Sequence, residues 1–206
     1  MKKIILAFLA FVLVETSATA QDIRVGVYAG VGFTGEKSDY PEISTLPISK
    51  GGMNFHYGIH VNIPIIDKLE FEGGLQKVTK GYTYTTTNVF TVSQYTKIQC
   101  ASIPVMAVYH ILDYSDELPF RFSIGLGMYG SYAISGKIKD DNGNTQKAKF
   151  SNAKRTEVGP RWMAKWEFLH KFETYIANDM RATNIIKNGN GYLKQGSFQV
   201  GLGYVF

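Results

Sequence analysis

The sequence predicts an all-β protein, a closed antiparallel up-and-down transmembrane β-barrel of about eight strands. Segments of about 9–11 residues alternate between apolar and polar side chains, which is typical of strands with one apolar and one polar face. Ten of the 21 glycines fall on the polar face, and aromatic residues of the apolar face gather near one end of the strands. No helical periodicity of useful length follows residue 20.

Residues 1–20 have the pattern of a secretory signal peptide that is cleaved from the mature protein. Lys2 and Lys3 form a basic start, residues 4–14 are apolar, and an A-x-A pattern ends at Ala20. A membrane-spanning helix needs about 20 apolar residues, which is more than this run provides. We therefore expect one β-barrel domain over residues 21–206.

The charge and cysteine content exclude some classes of protein. The formal net charge of the whole chain is +5, and removing Lys2, Lys3 and Glu15 with the signal peptide leaves +4. These basic residues form no Lys/Arg block, which argues against a nucleic-acid partner. Because Cys100 is the only cysteine, an exported form holds no internal disulfide and depends on backbone pairing and packing.

The first three predicted strands cover residues 23–33, 55–65 and 69–84. In the first, the odd positions are apolar and the even positions carry Arg24, Tyr28 and three glycines. A long polar connection, 34–52, precedes the second strand, and a short one, 66–68, follows it. The alternation slips near Lys77 and Val78, which predicts a bulge or the end of the apolar zone.

The fourth and fifth predicted strands cover residues 92–111 and 120–134. The fourth is mixed, because Lys97 and Gln99 share the parity of Ile103. This predicts either a bulge near Cys100 or a first part that lies above the apolar zone. Pro104 removes a ladder donor, which is usual only in edge strands. A long polar loop is predicted over 135–154.

The last three predicted strands are 155–168, 172–181 and 192–206. Phe168 and Phe172 share a face, so the simplest hairpin pairs them across a three-residue connection. That register sets Arg161 opposite Asp179. It also sets Glu167 opposite Glu173, a like-charge pair that Lys165 and Lys171 are expected to relieve. The final strand closes the barrel against the first, which leaves no exposed edge.

Alternation alone also fits a soluble barrel or sandwich whose apolar face is turned inward. Glycine on the polar face favours the inverted arrangement, because the interior of an eight-stranded barrel is only just wide enough for side chains. An aromatic girdle near the end that carries both termini favours it as well, since such rings meet lipid headgroups. The predicted girdle consists of Phe71, Phe120, Phe122, Trp166, Phe168, Phe172, Tyr204 and Phe206.

Cations and acids on the polar face are nearly balanced in number. Charges that leave bulk water have to be paired, so we expect a cross-linked interior that conducts poorly or not at all. The predicted lumen charge network consists of Arg24, Glu70, Glu72, Arg121, Arg155, Glu157, Arg161, Lys165, Glu167, Glu173, Asp179 and Arg181.

Three short segments carry a family resemblance: 101–105 (ASIPV) with Tyr109-His110, the Gly-x-Gly core of 120–132, and the terminal 201–206 (GLGYVF). In these the chain resembles the outer membrane β-barrel families of Gram-negative bacteria, and more narrowly the PorT-like outer membrane protein beta-barrel domain group. The resemblance implies an outer membrane location and folding by the barrel-assembly machinery. Some members of that group are linked to protein secretion, which implies secretion-system proteins as further partners.

No catalytic residue, cofactor or metal site is predicted, and we expect no enzyme. His56 and His60 fall on the lumen face, with His60 diagonal to Glu72, but hydrogen-bonded interior histidines explain them more simply than a metal or acid–base pair. A lipase would need a serine beside histidine, and no spacing singles out Ser102 or Ser123 for that role.

A polar turn at 140–144 lacks the glycine and the closing glutamate of a calcium loop. Four lysines flank it and are expected to contact lipopolysaccharide phosphates: Lys137, Lys139, Lys147 and Lys149.

The sequence therefore predicts an exported outer membrane barrel with a structural or interaction role through the loops 34–52 and 135–154. Outer membrane lipid and lipopolysaccharide are its expected partners. Three alternatives stay open: a PorT-like accessory of a protein secretion system, a soluble lipocalin-like carrier, and a lipid-modifying enzyme.

Overall fold

The structure, a computed structural model, describes residues 23–39, 48–87, 91–115, 118–139, 142–147, 155–180 and 192–206. The predicted signal peptide lies outside these ranges. Within them the chain forms nine strands: β1 (Arg24–Asp39), β2 (Ile48–Ile66), β3 (Leu69–Thr87), β4 (Thr91–Leu112), β5 (Phe120–Lys139), β6 (Thr145–Lys147), β7 (Thr156–Phe168), β8 (Phe172–Asp179) and β9 (Tyr192–Val205). These ranges hold no apolar helix long enough to cross a bilayer.

Eight of the strands form a closed barrel in which every neighbouring pair is antiparallel. The barrel closes because β1 pairs with β9, and the Phe206 N–H donates to the Val25 carbonyl at 2.9 Å. The ninth strand, β6, is short and pairs with the end of β5. This confirms the predicted fold class. We call the end of the barrel that carries both termini the terminal end, and the opposite end the distal end.

The two faces of the barrel wall carry opposite kinds of side chain. Arg161 and Gln199 are buried inside, with Gln199 0% exposed, whereas Leu202 is 70% exposed on the outer wall. Trp162 also lies on the outer parity of β7 and is half-buried. Apolar side chains therefore face outward and polar ones inward, which is the arrangement of a barrel surrounded by hydrocarbon and excludes a secreted carrier with an apolar interior.

The β7–β8 hairpin has the predicted register. Phe168 pairs with Phe172, Arg161 with Asp179 and Glu167 with Glu173. The turn between them contains Leu169 and His170 with φ of 52° and 59°, a left-handed conformation that is uncommon for these residue types. Its backbone is held from outside the hairpin, because the His170 N–H donates to the Tyr114 hydroxyl at 3.0 Å.

Of the two explanations predicted for the slip in β3 near Lys77 and Val78, the bulge is wrong, because the register runs unbroken there, whereas the end of the apolar zone agrees with Lys77 and Thr79 on the outer parity. Val78 and Lys80 are both buried and continue the inward parity of Glu70. Lys77 stays on the outer parity, with its Nζ 5.9 Å from the centre of the Tyr57 ring. The irregularity lies instead in β2, whose register with β3 shifts between Gly51 and Phe55. The alternation is misleading here because the apolar Val78 faces the interior. In the sequence, an apolar residue on the polar face looks the same as a strand that has changed face.

β4 is not an edge strand, although it contains Pro104. It pairs with β3 on one side and β5 on the other. The β3–β4 pairing skips from Gly73–Val105 to Gln76–Ser102 without a change of register, so the ladder is interrupted where the proline lacks its N–H. Gly74 leaves room for the proline ring, since a Cβ at this glycine would lie 3.3 Å from the Pro104 Cγ.

No bulge lies in β4 near Cys100: Lys97 and Ile103 are exposed while Cys100 is buried, so the strand keeps one parity, and the other predicted explanation, a first part above the apolar zone, agrees with this. The irregularity lies on the partner strand. Gln99 pairs with Ser135 and Cys100 with Ala133, so Ile134 of β5 has no partner in β4. The strands also run further toward the distal end than predicted. β1 continues to Asp39 and β2 begins at Ile48, so much of the predicted loop 34–52 is strand; β5 and β6 likewise occupy part of the predicted loop 135–154.

Candidate functional site: the charged interior and the terminal mouth

The terminal end of the interior contains a network built on two arginines, which we call the mouth layer (Arg24, Glu70, His110, Arg121, Ser123 and Glu167). Arg24 donates to Glu167 at 2.6 Å and to both carboxylate oxygens of Glu70 at 2.9 and 3.2 Å. A guanidinium nitrogen of Arg121 lies 3.5 Å from Glu70. Both arginine side chains are 18% exposed. A vestibule of about 610 Å³ opens beside them, so water reaches this layer.

Within the mouth layer, a histidine lies between a serine and a glutamate and contacts both. The His110 Nδ1 lies 2.8 Å from the Ser123 hydroxyl, and its Nε2 lies 3.1 Å from Glu70. The pairing follows from the sheet, since His110 and Ser123 are register partners on β4 and β5. Ser123 is nevertheless 2% exposed, and Glu70 is already bound by Arg24.

The connection between β4 and β5 continues this network outside the wall. Arg121 donates through Nε to the Asp113 carboxylate at 2.8 Å. Partial burial raises the pKa of Asp113, but the hydrogen bonds from Arg121 and from the Tyr114 N–H outweigh it, so the pKa lies below its usual range. Asp113 is therefore an ionised partner for Arg121 at neutral pH.

Deeper in the barrel lies a second set of ion pairs, which we call the deep layer (His60, Asn62, Glu72, Arg161, Lys165, Glu173, Asp179 and Gln199). Lys165 donates to Glu72 at 2.6 Å and lies 3.6 Å from Glu173. The His60 ring nitrogen is 3.5 Å from the same Glu173. The like-charge pair Glu167–Glu173 is thus relieved by Arg24 on one side and Lys165 on the other.

In the remaining ion pairs, each buried charge again has a group of opposite charge close to it. Arg161 donates to Asp179 at 2.7 Å, and Gln199 donates to the second oxygen of that carboxylate at 3.0 Å. Nearer the distal end, Lys80 donates to Glu157 at 2.6 Å. Tyr129 donates to the other oxygen of Glu157 at 2.5 Å. Each of these two buried carboxylates therefore has a cation and a neutral donor, which offsets part of its desolvation.

The middle of the barrel contains a buried cluster that is largely apolar. Its buried members are Tyr28, Met106, Val108, Met163, Tyr175 and Ala177. The Tyr28 and Tyr175 rings meet edge to face at 5.6 Å, and the Tyr175 hydroxyl lies 2.6 Å from a His56 ring nitrogen. A cavity among His60, Arg161, Lys165 and neighbouring residues has a volume of about 10 Å³, which is room for one water molecule at most.

Ten of the twelve predicted lumen residues lie inside the barrel, buried or half-buried: Arg24, Glu70, Glu72, Arg121, Glu157, Arg161, Lys165, Glu167, Glu173 and Asp179. Arg155, just before β7, still accepts a hydrogen bond from the Ala133 N–H at 2.8 Å through its carbonyl, but it is exposed and does not belong to the buried interior. Arg181 lies outside the described residues. The prediction missed Lys80, which follows from the unbroken parity of β3, and His110, which follows from the parity of β4, although only the β4–β5 register reveals its partner Ser123.

Members of the predicted girdle contact one another around the terminal end of the outer wall. Their ring centres lie 6.3 Å apart for Phe120–Phe168, 4.9 Å for Phe122–Trp166, 5.4 Å for Phe172–Tyr204 and 5.2 Å for Tyr204–Phe206. Phe71 is exposed on the same wall. Within the described residues, no group of three or more His, Cys, Asp or Glu side chains is arranged to hold a metal ion.

The sequence profile of the family described as outer membrane protein beta-barrel domain matches residues 6–206. The chain belongs to this family. Membership in the outer membrane barrel family agrees with the closed barrel and its apolar outer wall. The profile covers the family as a whole, so the narrower PorT-like assignment stays a prediction.

Several solved structures are similar to this chain. OprG from Pseudomonas aeruginosa is 11% identical over 89% of this chain and 96% of that chain, with a TM-score of 0.53. Ail of Yersinia pestis, solved with the heparin analogue sucrose octasulfate, is 14% identical over 90% and 100%, with a TM-score of 0.47. Neisserial surface protein A is 12% identical over 87% and 96%, with a TM-score of 0.45. No curated protein sequence matches the chain.

Proposed function

We propose that this outer membrane barrel is a non-conducting, non-enzymatic protein whose role is structural or depends on interactions at its distal end. The observation that carries the proposal is the buried cluster in the middle of the barrel, where tyrosine and methionine side chains leave a cavity of about 10 Å³. A hydrated ion cannot pass through such a space. The strands that extend beyond the apolar wall supply the contact surface on the distal side.

Two measurements test this proposal. Membrane fractionation with a heat-modifiable gel shift should place the folded barrel in the outer membrane fraction. Purified protein in planar bilayers should then show no stable single-channel steps. A defined, reproducible conductance from the folded barrel contradicts the non-conducting interior, whereas a protein that stays in the supernatant without detergent contradicts the membrane location itself.

A second candidate, a hydrolase, is favoured by the contacts of His110 with Ser123 and Glu70. These residues have the composition of a nucleophile, a base and an acid. The burial of Ser123 and the arginines on Glu70 argue for a structural network instead. Labelling by a fluorophosphonate distinguishes the two roles: we expect none, and labelling of the wild type that Ser123→Ala abolishes would establish the hydrolase.

A PorT-like accessory role rests on the sequence resemblance. It is tested by deleting the gene and comparing the secreted proteins of the two strains. Loss of specific secreted proteins, restored by the wild-type chain, would support that narrower role.

A further inference from the structure

Three exposed lysines lie side by side on three neighbouring strands near the distal end, and we call them the lysine row (Lys97, Lys137 and Lys147). Lys97 of β4 is the register partner of Lys137 of β5, which is in turn the partner of Lys147 of β6. All three are exposed. Like charges directly opposite one another destabilise a sheet, so the stability of the strands does not account for this row.

The bulge in β5 is what turns the central lysine of the row, Lys137, toward the outer wall. Up to Ala133, odd-numbered residues of β5 such as Tyr129 face inward. Ile134 and Ser135 are both exposed, and after them Lys137 and Lys139 are exposed on the other parity. A bulge re-aims the side chains that follow it. Without this extra residue, these two lysines would point into the barrel.

A shallow apolar groove of about 950 Å³ runs round the outer wall from Ile134 to Phe172 and Tyr204, and its Ala101 and Ile134 end is the part nearer to the lysine row. Tyr57, Lys77, Ala101 and Ile134 line part of it. Ala101 and Lys97 are on the same face of β4, four residues or about 13 Å apart along the strand. Lys77 is itself a lining residue, level with Ala101 as its register partner, and its ammonium lies over the Tyr57 ring. The same wall therefore carries an apolar surface and, about 13 Å nearer the distal end, a row of positive charges.

We propose that the lysine row and this groove together bind one phosphorylated lipid of the outer leaflet. Its phosphates lie against the lysine ammonium groups, and an acyl chain occupies the groove. The phosphates of such a lipid carry the negative charge that offsets the repulsion among the three lysines. Its acyl chain is hydrocarbon, which gains free energy when it is buried in an apolar groove away from water. This inference rests on the proposed function and takes the distal end, with its contact surface, to face the outside of the cell.

The test measures lipid binding to the full detergent-purified chain by native mass spectrometry, with diphosphoryl lipid A as the probe. The K97Q/K137Q variant should bind it roughly tenfold or more weakly than the wild type, because each lysine near an anionic lipid surface contributes measurably. K68Q/K171Q, which changes two exposed lysines in terminal-end turns, should bind like the wild type. Lipid A stripped of its phosphates should not distinguish wild type from K97Q/K137Q.

A second variant tests the groove with the charges intact. Ala101→Trp fills the groove and should weaken binding of the acylated probe, while unchanged binding would overturn the groove as the acyl site. Wild-type affinity in a K97Q/K137Q protein that still shows the heat-modifiable shift overturns the lysine row as the phosphate site. An equal loss in K68Q/K171Q overturns it too. Neither result touches the proposed function, which is tested separately by conductance, membrane fractionation and fluorophosphonate labelling.

Discussion

The mouth layer and the deep layer use the same ion-pair chemistry at different distances from water. Arg24 and Arg121 are 18% exposed and border a vestibule of about 610 Å³. Lys165 and Arg161 have side chains 3% and 2% exposed beside a cavity of about 10 Å³. This difference indicates that the accessibility of water, more than the number of ion pairs, determines how much the loss of one pair lowers the free energy of unfolding.

The two layers also differ in how many partners each acid has. Glu70 in the mouth layer is approached by Arg24, Arg121 and His110. If one partner is lost there, the other two and water from the vestibule remain. Lys165 in the deep layer is shared by two acids, Glu72 and Glu173. Breaking a buried pair leaves an uncompensated charge, which is the costly event.

The largest effect is expected for Lys165→Met. This change leaves Glu72 and Glu173 buried without their shared cation, and it should lower the free energy of unfolding by about 3–5 kcal/mol. Unfolding in urea, followed by the heat-modifiable gel shift, measures it. K165M/E72Q should be less destabilised than K165M, because only one of the two charges remains. Lys171→Met in the exposed turn is the control, and a cost equal to that of K165M would remove the difference between the layers.

The second prediction tests how tightly the deep interior is filled. A Cβ at Gly201 would collide with the Tyr175 ring, whereas a Cβ at Gly130 on the outer parity would have no heavy atom within 4 Å. Gly201→Val should therefore cost about 1–3 kcal/mol of unfolding free energy through overpacking. Gly130→Val should be close to neutral. In a double-mutant cycle, Tyr175→Ala should relieve part of the cost of G201V; strict additivity would show that the ring is not the obstacle.

The third prediction breaks a pair in the mouth layer. Arg24→Met removes the hydrogen bonds to Glu70 and Glu167, but Arg121 and water stay within reach. We expect a loss of about 1–2 kcal/mol, near the value for hydrogen bonds to charged groups. The same urea titration measures it. A cost as large as that of K165M would mean that the vestibule does not hydrate these carboxylates.

Local features of this fold are predictable from the sequence, and contacts across the barrel are not. The register of β7 and β8 follows from alternation and a short turn, which is why the Arg161–Asp179 pair is predicted correctly. The Lys165–Glu72 pair joins residues 93 positions apart, and it depends on how the strands stagger when the barrel closes. The alternation of apolar and polar residues gives no information about this stagger of the strands.

Departures from a strict polar interior also limit the prediction. Val78 faces inward, and so do Met106 and Val108, which belong to the apolar cluster in the middle of the barrel. An apolar residue on the inner face resembles a change of parity. For this reason the pattern predicts, as one explanation, a bulge in β3 that is absent, and it leaves Lys80 out of the charge network. Ile134 is the opposite case, since a true bulge lies where the sequence predicts the start of a loop.

The smallest effect is expected at Asp113, the most exposed acid linked to the mouth layer. Its folded-state pKa is lowered by the hydrogen bond from Arg121, so the pair stabilises the fold at neutral pH. That stabilisation is lost as the pH falls below 3.8, the ordinary pKa of aspartate, through the lower folded value. Asp113→Asn should cost less than about 1 kcal/mol at pH 7, as for other exposed pairs. The gap between wild type and D113N should close toward pH 3. A gap that stays constant with pH would assign the effect of the substitution to turn geometry, and the mouth layer would then end at Arg121.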